Sequence, residues 1–196
     1  MIVVYPDPIL RKKCRLVKAR GRNLAETINL LKKTLTDSKV GVGLAAPQVG
    51  RDQRVFLIKS LEDHHCHCNQ CQCDPFRVFI NPRIIDHFNQ EKTYPLILAN
   101  GGKKEKFLEG CLSFPHLYGP VKRWLKVKVG YQEIDVDTGE LKAKEEVLED
   151  FQAIVFQHEL DHLNGILFVD HIKEEDGKLY REENGNLEEI SPVNVL

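Results

Sequence analysis

The run Gln157-His158-Glu159-Leu160-Asp161-His162 constrains this chain more than any other. Residues four apart stack on one face of a helix, so His158 and His162 can hold a single metal ion. Glu159, beside them, is placed to handle the proton of a water activated by that ion. Catalytic metal sites usually take three protein donors and keep a fourth position open, so a third donor has to come from elsewhere. We take it to be Cys111. Phe151, Ile154, Val155, His158 and His162 recur at helical spacing and predict one inward stripe. Glu149 or Asp150 can cap the start of this helix, and Asn164-Gly165 its end. The plain alternative is a helix with two satisfied core histidines and a chance glutamate.

At 196 residues the chain is long enough for one domain with a continuous core. A formal net charge of -1 argues against a direct nucleic-acid or membrane partner through bulk electrostatics. No apolar stretch reaches membrane-spanning length, and Met1-Ile2-Val3-Val4-Tyr5-Pro6 reads as neither a signal nor a transit peptide. The expected location is cytoplasmic. Six cysteines without a secretion signal then point to thiols or metal ligands rather than disulfides. Cys14 reads as a small, partly buried core residue, Cys111 stands alone, and the other four crowd into 66–73.

Along the chain, Asn23-Leu24-Ala25-Glu26 reads as a capping-box-like start to a helix that runs to about Thr36 on Leu24, Ile28, Leu31 and Leu35. Gly41-Val42-Gly43-Leu44-Ala45-Ala46-Pro47-Gln48 is too glycine-rich for a solvated helix; it predicts a packed segment that another backbone approaches closely. Strands are predicted at 54–59, 77–81, 124–132 and 141–147, the last two joined by the Asp137-Thr138-Gly139 turn. Helix, strands and then the metal helix predict an α+β fold. Residues 1–170 are expected to form the catalytic domain and 171–196 a polar, acidic tail. From Lys173 on, seven acidic residues stand against three basic ones, and loose packing is expected there.

Cys111, in Glu109-Gly110-Cys111-Leu112-Ser113, can be a nucleophile, a structural thiol or a ligand. A thiol nucleophile needs a nearby imidazole as base and usually a third orienting group. Histidines paired at ligand spacing around a glutamate suit a metal better, and a Cys111 thiolate completes a Cys-His-His set.

Taken together, the segments 41–48, 109–113 and 157–162 resemble the three signature motifs of the peptide deformylase family, in the family's order. The likeness runs from Pro6-Asp7-Pro8-Ile9-Leu10-Arg11 to Gly165-Ile166-Leu167-Phe168. It implies an α+β fold with antiparallel sheets around a central helix carrying the ligands. It also implies hydrolytic removal of the N-formyl group from the N-terminal formylmethionine of new polypeptides, releasing formate. By this resemblance Cys111, His158 and His162 bind the ion and Glu159 is the general acid/base, with activated water attacking the formyl carbon. The Leu112 N–H and the Gln48 side chain would face the developing oxyanion, and Gly43 would hydrogen-bond a substrate that adds like a strand. Read without the resemblance, Gln48 is a loop amide and Gly43 a turn glycine. Val42, Ile154 and Val155 adjoin the ligands and are candidate walls for the methionine pocket, or plain core. Asp161 is either a carboxylate supporting the ligands or a solvent-facing charge. The donor set accepts Zn²⁺, Fe²⁺, Co²⁺ or Ni²⁺; the resemblance favours Fe²⁺ in the cell, with Zn²⁺ or Ni²⁺ replacing it in purified samples.

Three features depart from the family. Cys66, Cys68, Cys71 and Cys73, with His64, His65 and His67, form a metal-binding composition that predicts a second, structural Zn²⁺ or Cu(I) site, against an oxidisable loop tip. A second insertion spans 86–106 and is a candidate border of the peptide groove. The acidic tail differs from the basic C-terminal helix with which some members contact the ribosome. Transient ribosome association is therefore not expected to run through it.

Two other functions compete. A zinc endopeptidase would draw its third ligand from beyond His162, where His171 and residues from Glu174 onward are available. A non-enzymatic metal or redox module would make Glu159 and Gln48 dispensable.

Overall fold

The computed structural model describes residues 1–18, 21–60, 74–88, 92–98, 104–135 and 138–192. The first helix, α1 (Arg22–Asp37), buries Leu24, Ile28, Leu31 and Leu35. It starts at Gly21 with no side-chain cap, so Asn23 lies inside the helix rather than at its cap. An i,i+4 pair between Arg22 and Glu26 supports the first turn instead.

Strands follow in order: β1 (Gly43–Ala45), β2 (Val55–Lys59), β3 (Phe76–His87), β4 (Leu96–Leu98), β5 (Lys104–Lys106), β6 (Leu108–Cys111), β7 (Phe114–Pro120), β8 (Lys126–Ile134) and β9 (Leu141–Glu149). Then come α2 (Asp150–Asn164), α3 (Phe168–Glu174), β10 (Leu179–Glu183) and β11 (Asn186–Ile190). A five-stranded antiparallel sheet has the order β1-β2-β3-β8-β9 and a four-stranded one β11-β10-β7-β6, while β4 and β5 pair by themselves.

Alternation along β2 explains the layers. Val55 and Leu57 pack with the α1 leucines, whereas Phe56 and Ile58 face the opposite cluster with Phe156 and Leu160 of α2. Phe56, Phe79 and Phe156 pack ring against ring at centroid distances of 5.0 to 5.3 Å. A third cluster joins β7 and α3 through Phe114, Leu117, Phe168 and Ile172, with Cys111 packed against it. Thus α2 lies in the interior. It is buried well beyond the single stripe predicted, because Ala153, Phe156, Leu160 and Leu163 also pack on the sheet.

Both ends of α2 are defined locally. Gly165 takes φ 75°, the left-handed conformation that glycine adopts without a Cβ penalty, and stops the helix as predicted. Neither Glu149 nor Asp150 caps the start with its side chain: Glu149 makes no such bond. Asp150 instead sits at φ 48° with its N–H donating to Leu125 O at 2.7 Å.

Two further expectations are corrected. The strand predicted to end at Asn81 continues through Pro82 to His87, because register shifts between Ile80 and Arg83 and between Ile84 and Asp86 absorb the proline. The described residues after Lys173, to 192, are not loosely packed. β10 pairs with both β11 and β7, and Leu179 is fully buried. Among the described residues, no helix is long and apolar enough to cross a membrane.

Candidate metal centre

Cys111 ends β6, and His158 and His162 stand one turn apart on α2. The structure brings the three together: one donor atom from each lies within 4.8 Å of the others. Cys111 Sγ is 3.2 Å from His162 Nε2, and the two imidazole rings meet edge to face at 5.1 Å. Burial alone would raise the Cys111 thiol, but His162 and His158 outweigh it and hold it down at about 5. A thiol that ionises so readily beside two imidazoles is a donor set for a borderline-soft divalent ion.

Glu159 is only 4% exposed, and its carboxyl packs against the Cα of Gly43. The sequence predicted a close backbone approach at this glycine; what approaches is this side chain. Burial pushes the Glu159 carboxyl up to about 7, with the two imidazoles pulling the other way. Its Oε2 is buried and meets no hydrogen-bond partner among the described residues. A buried carboxylate oxygen is costly to leave unpaired. An ion on the adjacent donors, with its water, offers what Oε2 lacks, so the residues present fit such an ion.

Gln48 is positioned by a short 3-10 helix, Ala46–Val49, that follows β1 and is buried throughout. Its Oε1 accepts the Ala45 N–H at 2.8 Å, which fixes the amide and aims Nε2 at Ser113 Oγ, 3.3 Å away, and Cys111 Sγ, 3.5 Å away. It is no surface-loop amide. Leu112 is partly buried and packs with the α1 cluster. Gly43 lies on β1, the edge of the five-stranded sheet. Ile154 and Val155 are buried, and Val42 packs against the same cluster as Val155.

Behind the donors lies a buried ionic network of which the sequence suggested Asp161 but not Arg123. Arg123, 2% exposed, donates from Nε and Nη2 to Glu109 at 2.7 and 2.9 Å and from Nη1 to Asp161 at 2.5 Å. Glu109 Oε2 also meets His158 Nδ1 at 2.9 Å. Burial opposes ionisation of Glu109, but Arg123 and His158 outweigh it and hold the carboxyl at about 2. Asp161 is likewise held well below the usual carboxylate range, burial being outweighed by Arg123 and His171, so it is not a solvent-facing charge. His171, the alternative third donor, meets Asp161 at 2.9 Å and is not in the metal-ready group. Arg123 stands between Lys122 and Trp124 where a strand begins, and no sequence signal separates it from a surface arginine. The cysteine-rich stretch with Cys66, Cys68, Cys71 and Cys73 lies outside the described residues, as does Asp137 of the predicted turn.

The model of the family described as polypeptide deformylase matches residues 1–178. The chain belongs to that family. A peptide deformylase of Desulfotalea psychrophila is 33% identical over 182 residues, covering 92% of this chain and 91% of that protein. One of Thermotoga petrophila is 39% identical over 171 residues, covering 87% and 85%. Among solved structures, the Plasmodium falciparum peptide deformylase in complex with inhibitor superposes with a TM-score of 0.68 at 32% identity, covering 90% of this chain and 91% of that one. The Thermotoga maritima peptide deformylase gives 0.67 at 36% identity, covering 87% and 95%. The expected α+β class is the fold observed. Membership places the chain among enzymes and implies removal of N-formyl groups from nascent peptides. The family uses a metal ion, and the group of Cys111, His158 and His162 is compatible with one.

Proposed function

We propose that the chain is a metal-dependent hydrolase that removes the formyl group from N-terminal formylmethionine and releases formate. The observation that carries this is the meeting of three donors with the unpartnered Glu159 Oε2. Cys111 Sγ and one ring nitrogen each of His158 and His162 hold the ion, Fe²⁺ in the cell, with Zn²⁺, Ni²⁺ or Co²⁺ accepted by purified protein. When bound, such an ion supplies a Lewis acid that lowers the pKa of water from about 15.7 towards about 7 and polarises the formyl carbonyl.

The chain's own groups do the rest. Glu159, buried beside the donors with an unpartnered Oε2, accepts the proton of the attacking water and returns it to the leaving amine. Gln48 Nε2 and the Leu112 N–H donate to the oxygen on which charge develops. The edge of β1 that faces away from β2 takes the peptide backbone as an added strand, with Gly43 the hydrogen-bonding position. Val42, Ile154 and Val155 line the methionine side chain. Ribosome contact is transient and avoids the C-terminal hairpin, whose exposed Glu183, Glu188 and Glu189 repel phosphates.

Two substitutions test the reading. Glu159→Gln keeps the metal and abolishes turnover of a formyl-Met peptide, whereas Cys111→Ala loses the metal. A Cys111→Ala protein that kept both metal and full activity would favour the endopeptidase alternative.

A further inference from the structure

We propose that Asp161 and His171 are positioning residues for His158, acting through the buried head of Arg123 on the geometry and tightness of the metal site. The inference rests on the metal-ligand reading of Cys111, His158 and His162.

An unbroken chain of contacts runs His171–Asp161–Arg123–Glu109–His158, from α3 to Asp161 on α2, then through the β7–β8 connection and β6 back to His158 on α2. Its links measure 2.9, 2.5, 2.7 to 2.9, and 2.9 Å. The arginine backbone is pinned on both sides. Thr93 exchanges two hydrogen bonds with Arg123 at 2.9 and 3.0 Å, and the Gln157 amide clamps the Trp124 backbone at 2.7 and 3.1 Å. Only the guanidinium can respond to its surroundings. Being planar and rigid, it cannot turn its Nη1 edge towards Asp161 without turning the edge that grips Glu109.

Glu109 Oε2 takes Arg123 Nη2 and His158 Nδ1 together, so a tilt of the guanidinium shifts the acceptor that orients the imidazole. Stability alone is a poor reason for this cluster. Replacing buried ion pairs by apolar residues of similar volume is often neutral or stabilising. What an apolar cluster would lack is a fixed orientation for the ligand, transmitted from α3.

The test uses Co²⁺-loaded protein and reads the visible d–d bands, the near-ultraviolet thiolate-to-cobalt band and the rate of Co²⁺ release to excess chelator. His171 is 18% exposed and borders an open surface cleft of about 460 Å³, so its replacement leaves no sealed void. His171→Ala is expected to shift the d–d bands and release Co²⁺ about tenfold faster, the lower end of what loss of a ligand's supporting partner costs. His171→Gln, which restores an N–H towards Asp161, returns both close to wild type. Asp161→Asn gives the same direction of change and serves if His171→Ala does not fold. The proposal is overturned if the variants lower the melting temperature while spectrum and release rate stay those of wild type, the signature of a merely structural role. Wild-type protein lacking the thiolate-to-cobalt band would overturn the metal reading itself.

Discussion

The Glu159 carboxylate lies against the Cα of Gly43, so that a Cβ there would fall 2.9 Å from Glu159 Cγ and Cδ and closer still to Oε1. Two of the three sequence motifs are thereby in direct contact, and the glycine is required by the position of the carboxyl rather than by its own backbone angles. Gly43→Ala must push Glu159 aside. A misplacement of about 1 Å can cost about a hundredfold in rate. We expect that loss in kcat, with metal content unchanged, measured on one preparation.

Under the proposed function Gln48 serves the oxyanion as well as accepting the Ala45 N–H, and its replacement should show both. Losing an oxyanion donor costs about 3 kcal/mol of transition-state stabilisation, or about a hundredfold in turnover. Gln48→Ala also strands the buried Ala45 N–H, which adds an expected stability loss on the order of 1–2 kcal/mol. Peptide kinetics and denaturant unfolding of the same variant separate the two effects.

Alkaline pH should destabilise the protein through Cys14. Burial pushes its thiol up from 9.0 to about 12. Between those values the unfolded chain has lost the proton and the folded chain still holds it, so rising pH favours unfolding. The Cys14 contribution is intact below pH 9 and declines by up to about 1.4 kcal/mol per pH unit above it. Denaturant curves from pH 8 to 11 should show wild type losing stability relative to Cys14→Ala; parallel curves would contradict this.

Removing the metal should lower the melting temperature, since an ion that binds only the folded state stabilises it in proportion to ln(1 + [L]/Kd). At a hundredfold excess over Kd this amounts to about 2.7 kcal/mol. Melting with and without a chelator, followed by re-addition of Co²⁺, measures it.

Local features were read from the sequence more readily than remote ones. The spacing of His158 and His162 and the stop at Gly165 are properties of single turns. Gly43 and Gln48 were located by resemblance; the Gln48 bond to Ala45 is local, but the contact of Gly43 with Glu159 depends on how β1 lies across α2. The course of β3 through Pro82 was hidden because a proline reads as a strand end unless the register shift is known. The C-terminal hairpin was hidden because its burial rests mainly on Leu179, while charge dominates its composition. Arg123 is the clearest case: its burial is decided by Glu109 and Asp161, 14 and 38 residues away.

Formate release from a formyl-Met peptide by anaerobically purified protein, with divalent metal assayed on the same sample, tests the central claim most directly. We expect stoichiometric formate from protein carrying at least one ion per chain, and loss of both in Cys111→Ala. Metal-loaded, folded protein that releases no formate, or metal-free protein that releases it at the full rate, would contradict the account.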